Sequence, residues 1–145
     1  MSNCNCEENS GGNRRGNLFR RFASILGAKI LESRSDLCVV TFNRNLNVEI
    51  LGRRTRSPLV LGALFSFESM DSNGRALNLG ETVILPEEVN EFMTILRRNR
   101  IIVTALHNHW LFEEPRRMYI HFESVDEPLE FARKVAEALR VLRGC

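Results

Sequence analysis

The sequence predicts an α+β protein with a mainly antiparallel sheet that carries its helices on one face. Three observations point there. Short runs rich in β-branched and aromatic residues, such as LCVVTFN from Leu37, are separated by turn chemistry such as DSNG at Asp71–Gly74. Two later segments, PEEVNEFMTILRRN from Pro86 and DEPLEFARKVAEALRVL from Asp126, place apolar residues three and four apart, the spacing of helices. From Leu77 onward the order is strand, helix, strand, strand, helix, which is that of a split βαβ, ferredoxin-like arrangement.

Taken in order, residues 1–16 carry no aliphatic side chain after Met1 and are expected to form a disordered polar tail, with residues 17–145 as a single α+β domain. Asn17 is a candidate helix cap, and Leu18, Phe22, Ile25, Leu26 and Ile30 make one apolar stripe that Gly27 weakens or ends. LCVVTFN and LNVEILG, from Leu46, read as strands joined by a hairpin turn at Arg44 and Asn45. PLVLGALFSFES, from Pro58, reads as one long central strand, because it is apolar at nearly every position before it alternates. LNLGETVIL follows the DSNG turn as a further strand, with Gly80 as a candidate bulge.

Pro86 opens the next helix, with Glu87 and Glu88 at its positive end and Arg97 and Arg98 at its negative end. Its buried stripe is Val89, Phe92, Met93 and Leu96. IIVTALHNH, the loop WLFEEPR and RMYIHFES form a hairpin, and the last helix buries Leu129, Ala132, Val135, Ala136, Leu139 and Leu142.

Composition is that of an ordinary globular chain: 145 residues, 43% hydrophobic and 26% charged. A net charge of +2 is too small to argue for a nucleic-acid partner, although Arg14, Arg15, Arg20 and Arg21 cluster beside the first apolar stripe. No run approaches the roughly 20 apolar residues of a membrane helix, and the first residues lack the apolar stretch of a secretory signal, so the expected location is cytoplasmic. The four cysteines are scattered and do not resemble a disulfide framework, while Cys4-x-Cys6 is a weak candidate for a soft metal.

All three histidines lie between residues 104 and 122. With Glu114 at the hairpin apex, His107 is expected opposite His121 and His109 opposite Tyr119. Alternation then puts His107, His109, Tyr119 and His121 on one face and Thr104, Leu106, Met118, Ile120 and Phe122 on the other. Opposed Cβ atoms are roughly 5 Å apart, so three imidazoles could converge on one ion with an open position, the pattern of a catalytic metal. Glu81, Glu113 and Glu114 are candidates for a fourth ligand, and Arg116 and Tyr119 for contacts to a small anionic ligand or substrate. Zinc, manganese, iron and nickel all suit such a set, and metal-dependent hydrolysis is the reaction class it suggests. The alternative is a non-catalytic interaction module, with structural histidines and a basic N-terminal helix. His107-x-His109-x-x-x-Glu113 also resembles the first cupin motif, but Ile101 stands where that motif has glycine.

The segment EEVNEFMTILRRNRIIVTALHNHWLFEEPRRMYIHF, and above all the succession TALHNH, EPR and His121, resembles the bacterial LppY/LpqO family, a domain of unknown function numbered 1259. Weaker similarity reaches upstream to about Asn17. The resemblance adds Glu88 and Asn108 to the candidate ligand-binding residues and implies no particular reaction. Members often carry a signal peptide and two copies of the module. This chain shows one copy, so the resemblance implies association of two chains as a homodimer.

Overall fold

The computed structural model describes residues 10–144. The expectations for Cys4, Cys6 and Cys145, and for residues 1–9 of the polar tail, lie outside the described residues. Helix α1 runs Ser10–Leu26, so it begins well before the expected cap at Asn17. Phe19, Phe22, Ala23 and Leu26 anchor it in the core. With the nucleus fixed there, each preceding residue adds one hydrogen bond at little further cost, and Arg14 and Arg15 are good helix formers. Arg14, Arg15, Arg20 and Arg21 are all exposed, forming a solvated helix face. Gly27, at φ +62°, ends the helix.

A six-stranded sheet follows, in the order β1(Lys29–Arg34), β2(Leu37–Asn43), β5(Gly62–Glu68), β6(Ala76–Ile84), β8(Met118–Asp126), β7(Ile102–His107). Every paired neighbour in it is antiparallel. β6 and β7, joined through α3(Val89–Arg98), run parallel with β8 inserted between them, which is the expected split βαβ unit. The helix α4(Pro128–Leu139) closes the chain of elements.

Between β2 and β5 the chain departs from expectation. Arg44 and Asn45 do not turn a hairpin, because β2 pairs with β1 and β5, and only Glu49–Ile50 (β3) and Arg53–Arg54 (β4) pair with each other. Lys29–Arg34, partly read as helix through Ile30, is instead the edge strand β1. PLVL is not strand but the single turn α2(Pro58–Leu61), capped by the Ser57 side chain with Pro58 at its start. β5 is central, as expected. The turn before β6 is built by the Asp71 carboxylate, which accepts from the backbone N–H groups of Asn73 and Arg75 at 2.8 and 3.0 Å.

Gly80 makes no bulge; it sits in unbroken register between Phe65 and Phe122. A Cβ there would lie 2.2 Å from the Phe122 ring, so glycine is what lets that ring cross under β6.

α1, α3 and α4 cover one face of the sheet. The core between them is largely aromatic: Phe22 meets Phe67 at 4.8 Å, Phe92 meets Phe122 at 5.9 Å, and Phe122 meets Phe131 at 6.3 Å. On α3, Ile95 joins Phe92 and Leu96 in the interior, while on α4 Phe131 and Ala138 are buried and Leu129 and Ala136 only partly so.

Among the described residues, the second face is covered only at one end. There Val48, Val60 and Leu61 form a small cluster with Trp110 packed against it, and the Tyr119 hydroxyl donates to the Val60 carbonyl at 2.8 Å. A buried ion pair holds this end in place. Arg44 meets Glu88 with two hydrogen bonds of 2.9 Å and also donates to the Val83 and Arg143 carbonyls, while Glu88 accepts from the Leu85 and Arg143 backbone N–H groups. Burial alone would raise the Glu88 carboxyl pKa, but the Arg44 guanidinium and those N–H groups outweigh it and hold the pKa below its ordinary value.

A candidate metal centre on the open sheet face

One row of paired residues crosses the uncovered face: Lys29, Thr41, Leu64, Glu81, His121 and Ala105, each opposite the next on the neighbouring strand. His121 therefore has Glu81 beside it for a reason of register. The Glu81 Oε2 lies 3.1 Å from His121 Nδ1.

His107 ends β7 and pairs with Tyr119, not with His121 as expected. At His107 the register differs from the expected one by two residues, which leaves Leu106, His107 and the β8 side chains on their expected faces. A bulge between Val103 and Ala105 leaves Thr104 unpaired. Thr104 consequently lines the open face beside His121, not the helix-covered face assigned to it. Leu106, Met118, Ile120 and Phe122 do pack against the helices.

The chain then leaves the strand, and His109 folds back so that its ring lies flat on Tyr119, centroids 3.5 Å apart and planes 4° from parallel. His107 stands 4.9 Å from both His109 and His121, ring to ring. Each of the three offers a ring nitrogen within 4.8 Å of the others. His109 is held below its ordinary pKa, first by the burial of the ring face laid on Tyr119 and then by repulsion from His107 and His121, with Glu81 and Glu113 opposing.

The closest approach is between His107 Nε2 and His121 Nε2, 2.9 Å apart. The opposite nitrogens face acceptors: His121 Nδ1 faces the Glu81 carboxylate and His107 Nδ1 faces the Asn108 carbonyl at 3.3 Å. If both Nδ1 atoms carry protons, both Nε2 lone pairs point inward at each other. Such a pair is repulsive unless a proton or a metal ion lies between them. Nitrogens around a tetrahedral ion with bonds of about 2.0–2.1 Å stand about 3.3 Å apart, so small ring movements suffice to close the three on one ion.

The other candidates separate into those near this centre and those elsewhere. Glu81 is beside it, but behind His121. Glu113 is turned away and buried against Arg117, accepting from both its guanidinium and its backbone N–H. Glu114 is exposed. Arg116 is exposed and lines a different hollow with Pro86 and Glu87. Asn108 contributes its carbonyl to His107. Tyr119 is a stacking platform whose hydroxyl is already bonded to Val60, and burial raises its pKa. Glu88 lies in its ion pair with Arg44, away from the histidines.

Sequence reasoning missed Arg117, which is fully buried, donates to the Pro115 carbonyl and holds its guanidinium 5.8 Å from the Trp110 ring. Alternation carried one step further along RRMYIHF puts Arg117, and not Arg116, on the face of Tyr119 and His121. Two hollows flank the centre and share Leu64 and Glu81. One, of about 310 Å³, runs past Leu79, Thr104 and His121; the other, of about 670 Å³, runs from His109 and Tyr119 past Phe42 to Leu31 and Leu59.

Among the described residues, no helix is long and apolar enough to cross a membrane. No curated protein and no solved structure matches the chain. A family model described as Domain of Unknown Function (DUF1259) matches residues 20–141, which takes in the whole sheet, α4 and all three histidines. The chain belongs to that family.

Proposed function

We propose that this protein binds a divalent transition-metal ion through His107, His109 and His121. The observation that carries the reading is the 2.9 Å approach of the His107 and His121 Nε2 atoms while their Nδ1 atoms face acceptors. Glu81 is the outer carboxylate that fixes the tautomer of His121 and raises its basicity, an arrangement common behind metal-ligating imidazoles. Three neutral nitrogen donors suit zinc, nickel or iron(II) better than manganese, which favours oxygen donors. Three protein ligands also leave a position open to solvent or a small anion. An ion held there lowers the pKa of a bound water toward about 7, which makes metal-assisted hydrolysis the reaction class that fits the donor set.

Isothermal titration of the metal-stripped protein with zinc, and visible absorption after titration with cobalt(II), test this. One ion per chain, lost in His107→Ala and His121→Ala, is expected. Absence of stoichiometric binding of zinc, cobalt and nickel by the intact protein rejects it. A second reading is favoured by the His109 ring lying flat on Tyr119: the histidines then order residues 108–117, and the chain is a non-catalytic interaction module. In that case His109→Ala loosens the loop to amide exchange, and metal leaves the exchange of the intact protein unchanged.

A further inference from the structure

The larger hollow beside the three histidines has walls that call for a particular class of ligand. Its rim at one end is His109, Tyr119 and Glu81, and its course runs over Leu64 and Thr41 to Leu59, Leu31 and Lys29. Leu59 is 78% exposed and Leu31 59%, so among the described residues the far wall offers open apolar surface, with Lys29 beside it. The near end has the opposite character. Three neutral imidazoles leave the charge of a divalent ion uncompensated, and the Glu81 carboxylate is directed at His121 Nδ1 and away from the open position.

We infer that the site takes a monocarboxylate with an apolar chain, its head at the open metal position and its chain along Leu64 toward Leu59 and Leu31. This rests on the metal reading above. Register sets the length: from His121 across Glu81 to Leu64 is two strand spacings, about 10 Å, which suits a chain of about eight carbons reaching over Leu64. Lys29, at the far end of the same row, lies beyond the reach of a head group that touches the histidines.

The test uses cobalt(II)-loaded full-length protein titrated with acetate, butanoate, hexanoate and octanoate, read by the cobalt absorption bands and by calorimetry. Each methylene buried along the hollow should tighten binding by about fourfold, so octanoate should bind far more tightly than butanoate. Leu59→Asp and Leu64→Asn should flatten that series while cobalt affinity stays unchanged. Equal binding of the four acids, or a series unaffected by both variants, overturns the inference and leaves the metal reading standing. So does octan-1-ol binding as tightly as octanoate, since the head would then not be an anion. Octanoate that binds without moving the cobalt bands puts the head at Lys29 and also overturns it. If cobalt itself does not bind, both readings fail together.

Discussion

The Nε2 atoms of His107 and His121 stand 2.9 Å apart although the two residues are not cross-strand partners; His107 pairs with Tyr119 and reaches His121 on the diagonal. Diagonal neighbours meet only when both side chains lean toward a common point. Replacing either with alanine removes an inward-facing ring nitrogen. His107→Ala and His121→Ala should each weaken zinc binding by more than about 100-fold, measured calorimetrically. Both residues are at the surface or only partly buried, so urea midpoints of the metal-free variants should stay close to that of the parent.

Glu81 acts one step back from the same atoms. Glu81→Leu removes the acceptor for His121 Nδ1 and should cost about 10–100-fold in zinc affinity. Glu81→Gln keeps an acceptor without the charge and should fall between the two. Identical affinities for all three proteins would mean that the carboxylate does not orient the imidazole.

The Arg44–Glu88 pair predicts a stability effect unrelated to metal. Arg44→Met strands a carboxylate in the interior and should cost about 3–5 kcal/mol by urea unfolding at neutral pH. Arg44→Met combined with Glu88→Leu should cost less than Arg44→Met alone, because no charge is then left buried.

The same pair sets the response to acid. Glu88 has a folded pKa below its unfolded value of about 4.5, so its contribution is fully present above that pH and disappears as pH falls through the lower folded value. Urea midpoints of the parent should therefore drop more steeply as pH falls below about 4.5 than those of the Arg44→Met, Glu88→Leu double variant. Parallel curves would place the acid response elsewhere.

Gly80 ties the core to the open face. Gly80→Ala puts a methyl group against the Phe122 ring and should destabilise by about 1–3 kcal/mol. Phe122→Leu should absorb part of that cost, so the double variant should be more stable than the two single effects added together.

Much of this arrangement was legible in the sequence, and what was not has identifiable causes. The face shared by His107 and His121 followed from strand parity, whereas His109 reaches it from the loop beyond the end of β7. The exact pairing did not follow, because residues 108–117 set the register at His107 and the unpaired Thr104 shifts it by one more residue, and no local signal announces either. β1 escaped notice since KILESR is an edge strand, mostly exposed, with no alternation to read. PLVL reads as strand because its residues are apolar, yet Ser57 and Pro58 together make a helix start. Arg44 finds its partner 44 residues away, and nothing near Arg44 in the chain points to Glu88.

The sheet sorts β8 by odd and even number. Met118, Ile120 and Phe122 belong to the interior, while Tyr119, His121 and Glu123 face the other way. Residues of the first kind are constrained by volume, whereas His121 and Glu81 beside it are only partly buried and are not held by core packing. The chemistry at positions 81, 107, 109 and 121 can therefore be exchanged by single substitutions without renegotiating how the protein folds. This gives the scaffold room to acquire a different ligand at small cost in stability.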